Sequence, residues 1–200
     1  MKDQDYESYS IEDDEDDVVR YTMWSIVPRV MAMPMSGWER AKNNGPSPDI
    51  AVLRFLLPVC LLAGGAEFLA LLYQGSAGFA SLLVNAVVSF CSFFLGYYIA
   101  LVFARIFLPR EARNFPSSRF GRLLTMTGIA TLAFFHILMM ALPMFDFVIE
   151  FFPLWTIFLI YKGMKFANIK PEKAPFSMGV MCVVVICGPI LVEWALSLFI

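Results

Sequence analysis

The sequence predicts an all-α membrane protein in which five transmembrane helices follow an N-terminal interfacial amphipathic segment. Three observations predict it. Of the 200 residues, 59% are hydrophobic and only 16% charged, where soluble domains carry about a quarter charged residues, and the mean hydropathy is +0.69. Apolar runs near the length that a bilayer requires recur five times after residue 49. The basic residues, finally, gather before the first run and in alternate links between the others, the distribution that fixes orientation in a membrane.

The elements follow in chain order. Residues 1–17 carry nine of the 17 acids and show no apolar period, so they read as a disordered acidic tail on the cytoplasmic side. The start is acidic where a cleavable signal needs a basic stretch ahead of an apolar core, so no such signal is expected. Residues 18–49 form an amphipathic segment and linker. Trp24, Ile26, Val27, Val30, Met31 and Trp38 alternate there with Arg20, Arg29, Arg40 and Lys42. This is too charged to span, and predicts a segment lying in the interface with tryptophan at headgroup depth and arginine on phosphates. Pro28 and Pro34 are expected to break it into short helical pieces, and the turn-rich Asn43–Asp49 closes it.

Residues 50–200 form the transmembrane domain, with spans at about 50–73, 79–104, 121–142, 146–162 and 177–199. Pro58, Pro153 and Pro189 interrupt the first, fourth and fifth, as membrane helices tolerate where neighbours satisfy the freed carbonyls. Arg20, Arg29, Arg40, Lys42 and Arg54 precede or begin span one. Arg105, Arg110, Arg113, Arg119 and Arg122 lie between spans two and three, and Lys162, Lys165, Lys170 and Lys173 between four and five. With Lys2 these are all 15 Lys and Arg of the chain. Basic loops stay cytoplasmic, which predicts the N-terminus inside and the C-terminus outside. The cysteines, Cys60, Cys91, Cys182 and Cys187, all fall in apolar runs without a CxxC and are expected to act as small hydrophobes.

That orientation brings Glu67, His136, Asp146, Glu150 and Glu193, from four helices, to the outer third of the bilayer. Ionisable groups in a span are costly and mark function by default. Carboxylates with an imidazole suit a divalent cation such as Zn or Mn, and neighbouring carboxylates equally suit a proton. The alternative is that Asp146 caps a helix, that Glu150 and Glu193 are solvated ends, and that His136 is structural. Glu67 and Glu150, the deepest, carry the site if there is one. No cofactor is required by this pattern.

Three stretches resemble the Yip1 family of polytopic membrane proteins. They are WSIVPRVMAMPMSGWERAKNN before the first span, LPMFDFVIEFFPLWTIFLIYKG with Trp155, Tyr161 and Gly163, and the basic link ending IKPEKA. The likeness covers roughly residues 22–200. It implies five spans, a cytoplasmic N-terminus and a non-enzymatic role in membrane organisation or trafficking through lipid or protein partners. The eukaryotic members' Tyr-Gly-Tyr-Ser-like pattern is absent, since the chain reads LLTMTGIATLAFFH there. The short length is similar to the prokaryotic branch, which implies a bacterial inner membrane.

One histidine and no GxSxG leave a serine triad little footing, and neither a Walker loop nor GxGxxG occurs. The loop Arg105–Arg122 is expected to meet anionic lipid headgroups at the cytoplasmic face, not nucleic acid. Two functions follow: a non-catalytic membrane-organising protein, or a small cation or proton transporter or channel using the outer acids.

Overall fold

The computed structural model of the chain describes residues 21–69, 73, 78–142 and 151–199. Among them it is helical, without strands. The helices are α1 (Met23–Ala32), α2 (Pro34–Asn44), α3 (Pro48–Leu69), α4 (Phe79–Phe107), α5 (Arg119–Ala141), α6 (Phe152–Met164) and α7 (Ala174–Ser197). Four of these, α3, α4, α5 and α7, are long and apolar enough to cross a membrane. Of the expected span at 146–162, residues 146–150 lie outside the described residues and the rest falls mostly in α6, whose 13 residues reach about 20 Å at 1.5 Å per residue, less than a bilayer's hydrocarbon core.

α5 is the central helix. Leu123, Leu124, Met126, Ile129, Ala130 and Ala133 are all fully buried. Its threonines are buried too, and each hydroxyl donates to the carbonyl one turn back: Thr125 to Gly121 (3.0 Å), Thr127 to Leu123 (2.8 Å) and Thr131 to Thr127 (2.8 Å). A polar side chain satisfied within its own helix lets that helix sit in an apolar core. Around it α4 and α7 share the most extensive helix contact among the described residues. A Cβ on Gly96 would lie 2.8 Å from the Pro189 nitrogen, and one on Gly188 2.8 Å from the Gly96 carbonyl. Small residues at a helix crossing let backbones touch, which is how helices associate where lipid removes the hydrophobic drive.

The amphipathic segment differs from its expectation. α1 runs through Pro28 unbroken, losing only the bond that this residue would have given to Trp24. Pro34 stands at the first position of α2, where a missing N–H is harmless. α1 buries Met23, Ile26, Val27 and Val30, one face at helical spacing. A Cβ on Gly37 would meet the Val30 backbone at 2.6 Å, so α2 folds closely on α1. Trp38, expected at headgroup depth, is 0% exposed. Its indole donates to the Leu159 carbonyl of α6 (2.9 Å) and meets Phe120 edge-on. Gly163 makes the room, since a Cβ there would lie 2.9 Å from the indole. An apolar face at helical period fits lipid and protein equally, and here protein takes it.

Trp24 has a similar task. Pro58 has no N–H for the Arg54 carbonyl four residues before it, and α3 widens into a π turn at Val52–Leu56. The Trp24 indole donates to that carbonyl at 3.0 Å while packing edge-on against Phe55. Basic groups collect at the same end of the bundle. Arg122 pairs with Asp49 (2.5 Å) and Lys170 with Glu111 (3.7 Å), while Arg119 donates to the carbonyls of Lys42 and Asn43.

Candidate functional site: a buried acid and imidazole at the other end

At the opposite end, α3 closes in a 3-10 turn, Glu67–Leu69, with Glu67 at its start and buried. The approach to it is built from small residues. A Cβ on Gly64 would lie 2.6 Å from the Ala86 carbonyl, so α3 touches α4 there. Glu67, three residues beyond Gly64, meets Ser89 of α4, whose hydroxyl donates to Oε1 at 2.6 Å. From α5, His136 Nε2 lies 3.0 Å from the same oxygen. The imidazole is 21% exposed and the carboxylate side chain 9%, and Phe93 flanks the ring with centroids 5.5 Å apart.

Oε2 of Glu67 and Nδ1 of His136 have no hydrogen-bond partner among the described residues. A lone carboxylate in apolar surroundings is strongly unfavourable. With an imidazole beside it, the pair can hold one proton between them, as an ion pair or as two neutral groups. The serine and the imidazole both meet the carboxylate rather than each other. This differs from a nucleophilic triad, in which the imidazole takes the hydroxyl's proton.

The pair lines an open cavity of about 640 Å³ bordered by α3, α4, α5, the start of α6 and α7. Its polar wall adds Asn85, Ser92 and Glu193. Ser92 is buried, and its hydroxyl has no hydrogen-bond partner among the described residues. Apolar side chains such as Leu132, Met139, Ile186 and Ile190 form the rest.

Of the five residues predicted from sequence, Glu67 and His136 are joined directly. Glu193 lines the same cavity from an exposed position near the end of α7, without bonding to the pair. Asp146 and Glu150 lie outside the described residues. Among the described residues no three His, Cys, Asp or Glu side chains gather to hold a metal ion, so the donors brought together here are Glu67 and His136.

Ser89, Ser92 and Asn85 escaped the sequence reading. Their signal was spacing: positions 85, 89 and 92 put three polar side chains on one face of an otherwise apolar helix.

Helix content and four helices long and apolar enough to cross a membrane are compatible with a multi-pass helical membrane protein, here with an ionisable pair between its helices. Compared with protein families, curated proteins and solved structures, the chain matches none of them. Nothing among these comparisons identifies a Yip1 member, and that likeness rests on the three quoted stretches.

Proposed function

We propose that the protein binds a cation or a proton within the membrane at Glu67 and His136, as a small transporter or channel. The observation that carries this reading is the buried Glu67, paired with the half-buried His136, facing a cavity in a largely apolar bundle. Ionisable groups placed so in a membrane mark ion or proton pathways. The basic end would face the cytoplasm, N-terminus inside, because Lys- and Arg-rich loops stay there. An inner bacterial membrane is the expected location, and a fifth span would include residues 146–162. A divalent metal would need ligands beyond these two, such as Asp146 or Glu150.

The test is flux into liposomes holding purified protein, with proton, sodium, potassium and manganese gradients imposed in turn. Flux of one of them in the wild type should fall to the empty-liposome rate in Glu67→Gln, which keeps the side chain's shape. Wild-type flux of none, or flux unchanged in the variant, would sink the proposal.

The Yip1-like reading, a membrane-organising role at the basic face, keeps support from a different observation. Trp24 on α1, Met33 at the junction and Met35 on α2 are exposed, in a segment that also carries Arg29 and Arg40, whose guanidinium stacks on Tyr21 at 4.8 Å. Apolar side chains interleaved with arginine suit anionic headgroups or a membrane partner. Here Met33→Ser with Met35→Ser is the test, since deleting the segment would also remove the buried Trp38. The double variant should lose any membrane-shape or trafficking phenotype of the gene while the bundle stays folded, and an unchanged phenotype counts against the reading.

A further inference from the structure

We propose that the cavity beside Glu67 takes an amphipathic organic ammonium, an amine carrying an apolar body, rather than a bare inorganic ion. This rests on the reading of Glu67 and His136 as a cation-binding site and names the ligand class for it.

Size comes first. The cavity, at about 640 Å³, falls in the range of about 300–1,000 Å³ that small-molecule sites occupy. An inorganic cation calls for a close shell of oxygens, and among the described residues no such cluster of acids forms.

Charge comes second. The lining contains two carboxylates, Glu67 and Glu193, and one imidazole, with neither Lys nor Arg among the described lining residues. An anionic ligand would find no permanent countercharge there. A cationic one would meet an excess of negative charge whether or not His136 is protonated.

Third is the mixture of polar and apolar groups in the walls. Ser89 and Ser92 of α4 stand three residues apart on the same helical face. The Ser92 hydroxyl, 3% exposed and unpartnered, is an acceptor in want of a donor. The Glu67 oxygen that Ser89 and His136 leave vacant is another. A primary ammonium brings three N–H donors, enough to meet both. Phe93, Leu132, Met139, Met140, Ile186 and Ile190 complete the lining with an apolar surface that neither a hydrated ion nor a proton requires. The thioethers suit an irregular apolar body, and Phe93 adds an aromatic face that attracts a cation.

The experiment is calorimetric titration of the full chain in lipid nanodiscs with 4-phenylbutylammonium, and in parallel with 4-phenylbutyrate as a size-matched anion. One ammonium should bind per chain and the anion should not. Glu67→Gln should weaken binding about thirtyfold or more, the usual consequence of removing one partner of a buried charge pair. Ser92→Ala should weaken it about three- to tenfold, the worth of a single hydrogen bond. Met139→Trp, which fills the cavity and leaves the acid in place, should abolish ammonium binding while the chain unfolds at the wild-type temperature.

Equal binding of the two phenyl compounds would mean partition into lipid and would overturn the inference. Absence of saturable ammonium binding, with Glu67-dependent flux intact, would overturn it and leave the parent reading standing. Absence of both, in variants that unfold at the wild-type temperature, would remove the two together.

Discussion

The two ends of this bundle use polar groups in opposite ways. At the basic end, indole donors, one buried and one exposed, are spent on backbone. The Trp38 indole caps the Leu159 carbonyl and the Trp24 indole caps the Arg54 carbonyl, while charged side chains stay at the surface in pairs such as Arg122–Asp49. At the acidic end the charged group is inside. Glu67 is bonded to side chains from two other helices, and a cavity lies against it. A bond from indole to backbone fixes geometry and does little else. A carboxylate bonded to an imidazole beside a void retains a choice of proton position. The first end is built as scaffold, the second as a site.

That contrast can be broken in four places. The largest effect is expected at Trp38→Ala, where loss of a fully buried indole should destabilise by about 3–5 kcal/mol, read as chemical denaturation in detergent. A change below about 1 kcal/mol would show that the α1–α2 layer is no part of the scaffold. Next comes Gly96→Ala, at the midpoint between the ends. Its new Cβ would press on Pro189 backbone, and overpacking of this kind costs about 1–3 kcal/mol. The expected reading is a lower unfolding temperature, and an unchanged one would mean that α4 and α7 separate freely.

At the acidic end, Glu67→Ala strips the acceptor from Ser89 and His136. Interhelical hydrogen bonds in membranes are worth about 1–2 kcal/mol, so this loss should be smaller than that at Trp38, with Glu67→Gln smaller still. If Glu67→Ala were instead the more damaging, the acid would be scaffold and the contrast would fail. Smallest is Asp49→Asn. Asp49 is 81% exposed beside Arg122, and surface pairs contribute less than about 1 kcal/mol. Its effect should vanish in molar salt, and persistence there would place the pair out of reach of screening.

The long helices were legible because membrane length demands an uninterrupted apolar run. The expected 79–104 and 121–142 appear as Phe79–Phe107 and Arg119–Ala141. Glu67 and His136 were legible because ionisable residues stand out in such runs. The docking of α1 and α2 was not, since Val27 and Val30 would face lipid or protein with the same periodicity. Nor were the hydroxyls. Thr125, Thr127 and Thr131 on α5 satisfy themselves one turn back, while Ser89 reaches another helix and Ser92 reaches nothing. Sequence alone does not separate these cases, because each hydroxyl has a backbone carbonyl within reach in its own helix.

The two indole caps also set an order of events during synthesis. Trp24 precedes its acceptor by 30 residues, which a ribosome adding about 5–20 residues per second completes in roughly 2–6 s. The donor is therefore already waiting when the proline-bearing helix emerges. Trp38 precedes Leu159 by 121 residues, or roughly 6–24 s at the same rate. Over that interval its indole has no native acceptor, so the N-terminal hairpin can latch at Trp24 early but can lock at Trp38 only after most of the chain has been made.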